Sequence, residues 1–104
     1  MKLHWRRVQL PLKDPFSIAR GTLREQQCLI VRLAHDQAVG YGEVTCNAYY
    51  GHTYESLEDS LRQIQTHVAD LDLLHPRDLY QRCIQVIPHD KFALSAIDAA
   101  AYDL

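Results

Sequence analysis

The stretch VGYGEVTCNAYYGHTYESLEDSLRQIQTHVADL, residues 39–71, changes its hydrophobic period part-way along. Val39 to Cys46 carries the short β pattern of a strand. From residue 53 the period becomes helical: Leu57, Leu61, Ile64, Val68 and Leu71 recur in steps of four and three, one apolar stripe. Ser56 with Asp59 three residues later resembles a capping box, and Glu55 and Glu58 suit the positive end of a helix dipole. The junction between a strand and a helix therefore falls between Cys46 and Tyr54.

On the N-terminal side of that stretch, Gln27 to Ala34 (QCLIVRLA) reads as a strand with Leu29, Val31 and Leu33 on one face. Arg32 lies opposite them, so that side is wet or covered by a partner. Leu3 to Leu12 reads as an earlier strand, with Val8, Leu10 and Leu12 on one face and Trp5, Arg7 and Gln9 on the other. Pro11 and Pro15 close it, because proline donates nothing to a ladder. The connection from Lys13 to Arg24 is too long for a tight turn and reads as a loop, whereas HDQAVG is a short turn region. Three strands joined this way predict an antiparallel meander. Gly40 and Gly42 share one strand face and mark close packing or a bulge.

On the C-terminal side, Pro76 suits the first position of a second helix with Leu79, Tyr80, Cys83, Ile84 and Ile87 as its buried face. Pro88 ends that helix, and Asp90 is the N-cap of a third, KFALSAIDAAAYDL. Its alanines (Ala93, Ala96, Ala99, Ala100 and Ala101) leave so little bulk that neighbours can approach the backbone. That helix has no Gly and no Lys or Arg in its last turn, and Asp103 faces the negative dipole end. Such an ending reads as a segment of a longer chain. The fold class is α+β: a three-stranded antiparallel sheet followed by three helices, one domain over residues 1–104.

Composition narrows the function. At 104 residues with 47% apolar content, the chain is large enough for one modest core. A formal net charge of −2, with basic residues scattered apart from Arg6-Arg7, offers no field for nucleic acid. The N-terminus lacks the apolar core of a signal peptide, and no apolar run reaches the ~20 residues that span a bilayer. Cys28, Cys46 and Cys83 match neither a disulfide framework nor a zinc site, and read as reduced thiols of a cytoplasmic protein. Pairing of Cys28 with Cys46 on neighbouring strands stays open.

The six histidines put no two on one helical face, and no carboxylates cluster where magnesium would want converging oxygens. Cys46 with His52 superficially offers a thiol–imidazole pair, but without a third orienting group. GYG at residues 40–42 lacks the third glycine of a dinucleotide fingerprint. Two connections remain. Lys13 to Arg24 presents Phe16, Ile18 and Arg20; Thr45 to Tyr54 gathers Asn47, Tyr49, Tyr50, His52 and Tyr54 around Gly51. Both leave the same end of the inferred sheet, as a ligand lid or a protein interface would. The tyrosines equally suit a covering over the helix–sheet core, and an arginine in such a loop equally suits solvent. A carboxylate is the alternative partner for Arg20, because the guanidinium fork binds one with two parallel bonds.

PFSIARGTLRE, GYGEVTCNAYYGHTYES and FALSAIDAAAYDL together resemble the N-terminal capping domain of the enolase superfamily, in its muconate-lactonizing subgroup. The IARGT form is most similar to dipeptide epimerases of the Ala-Glu type. The resemblance implies a cap joined to a (β/α)-barrel that carries the chemistry, with magnesium held by three carboxylates and two lysines moving the substrate α-proton. It implies that this chain has no catalytic residue, metal ligand or cofactor of its own and is inactive alone. Its partners are then its own C-terminal barrel and a small dipeptide, without nucleic acid or membrane. Homo-oligomerisation through an uncovered apolar patch is a further expectation. Arg20 occupies the position where such epimerases set an arginine against the substrate glutamate carboxylate, and Phe16, Ile18 and Tyr50 shape the pocket. The second loop departs from some members, which have prolines and an arginine where Cys46, Ala48 and Tyr49 stand here. Other readings are the cap of a cycloisomerase, an o-succinylbenzoate synthase or an N-acylamino-acid racemase, or a self-standing association module.

Overall fold

The computed structural model describes residues 1–18, 21–46, 51–72 and 75–104, with side chains described for these except over residues 10–26. Three strands, β1 (Lys2–Ile18), β2 (Gly21–His35) and β3 (Ala38–Thr45), precede three helices, α1 (Tyr54–Val68), α2 (Pro76–Val86) and α3 (Lys91–Asp103). The strands form one antiparallel sheet in the order β1-β2-β3. The α+β meander with three following helices is thus the architecture of the chain.

The Lys13–Arg24 connection differs from the loop that its sequence suggests. β1 and β2 pair from Lys2↔Ala34 to Pro11↔Glu25, slip register, and resume pairing from Phe16↔Leu23 to Ile18↔Gly21. The two prolines do not end the strand because β1 is an edge strand, where a missing donor leaves no inner ladder broken, and the irregularity between Pro11 and Phe16 takes up the rest. β3 pairs with β2 only from Cys28↔Thr45 to His35↔Ala38. With the Cys46 N–H also donating to the Gln27 carbonyl at 2.8 Å, the β1–β2 ribbon overhangs the third strand by residues 21–26, at the end where β3 also exits.

One face of the sheet packs on the helices. Leu29, Val31 and Leu33 are wholly buried there, as their alternation predicts, against the Leu57, Leu61, Ile64 and Val68 stripe of α1. On β1 the helix-facing side is that of Leu3, Trp5 and Arg7, not the aliphatic side of Val8. Leu3 shares the parity of the inward positions on β2 through the Leu3↔Leu33 pair, and half-exposed Arg7 sets its guanidinium against buried Glu58 on that side. Cys28 is opposite Thr45 and so shares its face, whereas Cys46 is one residue farther and on the other side. Both are free thiols, as is Cys83.

α3 lies on β3 without side chains between them. A Cβ on Gly40 would overlap the carbonyl oxygen of Ala100, and one on Gly42 that of Ala96. The glycines and the alanine face thus answer each other. The helix starts are equally local in origin. Thr53, not Ser56, is the N-cap of α1: its hydroxyl accepts from the Ser56 N–H at 3.1 Å, and the Ser56 hydroxyl accepts from the Thr53 N–H at 3.0 Å. Asp59 instead pairs with Arg62 at 2.8 Å. Pro76 opens α2 behind His75, whose Nδ1 accepts from the Arg77 N–H. Asp90 caps α3 by accepting from the Ala93 N–H at 3.0 Å. At the other end of α3, Asp103 accepts from the backbone N–H of Tyr41 at 2.8 Å, so the carboxylate that suits the dipole poorly serves an open donor of edge strand β3.

Candidate functional site

The overhanging end of the sheet is built on a polar cluster between β1 and α1. Arg7 approaches Glu58 fork to fork, with Nε 3.1 Å from Oε2 and Nη2 2.6 Å from Oε1. The Trp5 indole N–H donates to the same carboxylate at 3.2 Å. The Arg7 guanidinium lies 4.6 Å above the centre of the Tyr54 ring, and the Tyr54 hydroxyl donates to the carbonyl of Val8 at 2.9 Å. Glu58 is only 7% exposed, yet fully partnered. The hydrogen bonds from Arg7 hold its carboxyl below the usual range, and Glu58 raises the guanidinium in return.

A second anchor closes the connection before α1. Gly51 adopts φ +77°, a left-handed conformation that favours glycine. The next residue, His52, stacks on Phe92 with ring centres 3.9 Å apart, and its Nδ1 stands 4.0 Å from Asp90 Oδ1. Asp90 also accepts from the Ser60 hydroxyl at 2.6 Å, so α1, α3 and the connection meet at one buried carboxylate. His52 is thereby committed to α3, and burial pushes the Cys46 thiol up in pKa. These are the reverse of the conditions that activate a thiol nucleophile.

Of the residues singled out in the sequence, Phe16 and Ile18 stand two apart on β1, opposite Leu23 and Gly21, which puts them on one face of the overhanging ribbon. Their side chains, and Arg20 and Tyr50 altogether, lie outside the described residues. The Arg7–Glu58 pair escaped the sequence reading. Its one signal was Glu58 beside Leu57 in the stripe, a position where a solvated carboxylate is out of place. Among the described residues no group of three or more His, Cys, Asp or Glu side chains could hold a metal ion, and no helix is long and apolar enough to cross a membrane.

The chain belongs to the mandelate racemase / muconate lactonizing enzyme N-terminal domain family, whose description matches residues 1–104; it is an N-terminal capping domain of the enolase superfamily. It is 35% identical over 104 residues to an L-Ala-D/L-amino acid epimerase of Flavobacterium johnsoniae, covering 100% of this chain and 31% of that protein. It is 34% identical over 94 residues to the L-Ala-D/L-Glu epimerase of Escherichia coli, covering 90% of this chain and 27% of that protein. The fold matches a dipeptide epimerase from Enterococcus faecalis, solved with Mg and the dipeptide L-Leu-L-Tyr. That match has a TM-score of 0.85 and 24% identity, over 97% of this chain and 29% of the other. The chain thus spans about a third of the length of these relatives.

Proposed function

We propose that this chain is the substrate-selecting cap of a magnesium-dependent dipeptide epimerase, one domain of a longer enzyme whose C-terminal barrel performs the proton transfer. The observation that carries the reading is the match along the whole of residues 1–104 to a family of N-terminal domains, with epimerases of L-Ala dipeptides among the relatives. The metal is assigned to the barrel on the family resemblance, and no step of the chemistry is assigned to this chain; among the described residues no group of three or more His, Cys, Asp or Glu could hold a metal ion. What the cap supplies is water exclusion and contact with the distal part of the substrate.

Arg20 is the proposed recognition residue, set against a distal carboxylate, with Phe16, Ile18 and Tyr50 lining the pocket. Its support is the IARGT sequence, whose Ile18 and Gly21 form a β1–β2 pair. The barrel is proposed to cover exposed Tyr41 and Tyr102, which flank the Tyr41–Asp103 bond at the end of α3. Self-association of the isolated chain through the same patch, and a cytoplasmic setting suited to three free thiols, complete the proposal.

Replacing Arg20 by Met in the protein that joins this cap to its barrel tests the reading. Loss of a charge-assisted pair worth about 1.5–3 kcal/mol lowers kcat/KM for L-Ala-L-Glu by about 10- to 100-fold and leaves L-Ala-L-Leu nearly unchanged. An unaltered kcat/KM for the acidic dipeptide would reject the carboxylate clamp.

A further inference from the structure

We infer that Arg7, Tyr54 and Glu58 are positioning residues, a tie that fixes the root of the β1–β2 ribbon to the first turn of α1 and so sets both connections at this end of the sheet as one unit. The inference rests on the proposed reading of those connections as the substrate-selecting part of the cap.

The ribbon loses its third strand beyond Gln27, whose carbonyl accepts from the Cys46 N–H at 2.8 Å, so residues 21–26 take their direction from the root. The root is where the polar contacts concentrate. Arg7 and Val8 stand opposite Leu29 and Cys28, the last β2 positions with a partner residue on β3. Tyr54 is the first residue of α1 and directly follows Thr53, the N-cap that ends the second connection. Its hydroxyl holds Val8, its ring lies beneath Arg7, and Glu58 one turn later takes both nitrogens of the guanidinium edge.

A hydrophobic contact at this place would bury area equally well but leave the strand free to roll. Replacing ion pairs by apolar residues is often neutral for stability. The planar fork-to-fork geometry and the second hydrogen bond from Trp5 instead specify a rotation about the β1 axis. The tie thus connects the root of the ribbon to the end of the second connection through a single helix turn.

Hydrogen exchange on the chain and kinetics on the cap joined to its barrel test this with Tyr54→Phe and Arg7→Lys. Tyr54→Phe keeps the ring and loses the bond to Val8; Arg7→Lys keeps the charge and loses the fork. In either variant, amides of residues 21–26, Cys46 and residues 51–53 are expected to exchange about ten-fold faster, with α2 amides unchanged. Acceleration at only one connection, or at neither, overturns the tie. Should Tyr54→Phe unfold globally, Arg7→Lys decides by the same criterion. In the joined protein the expected change is a KM for L-Ala-L-Glu raised about three- to ten-fold with kcat nearly kept. Wild-type KM in a variant with coupled exchange would show that the tie only supports the fold, and would overturn its positioning role. A wild-type protein that turns over no dipeptide would refute the epimerase reading, while the exchange pattern would still judge the tie.

Discussion

Gly42 of β3 lies against Ala96 of α3 so closely that a single methyl group on the glycine would overlap the alanine carbonyl oxygen. The obstruction is backbone, which no rotamer change can relieve. Gly42→Ala is expected to cost about 3 kcal/mol, the upper end of overpacking effects, read as a lower denaturation midpoint. Gly51 offers a contrast, with nothing within 4 Å of a built Cβ but a φ of +77°. Gly51→Ala should cost only about 1 kcal/mol, through the backbone alone.

Glu58 makes stability depend on acid. Its carboxyl titrates below 4.5 in the folded chain because Arg7 donates to it, and near the ordinary value when unfolded. The stabilisation is complete above the unfolded value and is lost as pH falls through the lower folded one. Glu58→Gln should flatten the acid limb of the melting-temperature profile below about pH 4.5 and change little of its shape at pH 7. An acid limb as steep as that of the wild type would contradict this.

Asp90 serves three neighbours, so Asp90→Ala removes the α3 cap and the short bond from Ser60, leaving that hydroxyl only the Ser56 carbonyl at 3.3 Å. The expected loss is about 2 kcal/mol by chemical denaturation, and Asp90→Asn, which still caps, should recover about half.

The three cysteines should react in a fixed order. Cys83 is fully buried and its thiol is pushed up to about 11 by burial, and Cys28 is 1% exposed. Cys46 is half-buried. Alkylation at pH 8 should therefore modify Cys46 first and leave Cys83 intact until the chain unfolds. Early labelling of Cys83, resolved by peptide mass, would show that α2 opens from the core.

Local rules were enough for much of this architecture. The Leu57–Val68 stripe, the alternation of Leu29, Val31 and Leu33, Pro76 at a helix start and Asp90 at a cap each express an interaction within a few residues of chain. Gly40 and Gly42 pointed to close packing for the same reason, since a side chain's absence is itself visible in sequence. The misread features depend on which partner folding selects, near or far along the chain. Residues 16–18 and 21–23 form paired strand because each finds the other as its ladder, a register that single-strand patterns and two prolines conceal. Arg7 turns inward because Glu58, 51 positions later, is there to meet it. Arg20, Phe16, Ile18 and Tyr50 stood out as the arginine, apolar and aromatic residues of two long connections, and only their particular roles came from family likeness. By itself the sequence determined where α2 and α3 start, since Pro76 and the Asp90 cap act within one turn. Only the tertiary structure decided which face of β1 is buried and where the ribbon points, because a buried charge is tolerated only beside the counterion that folding brings to it.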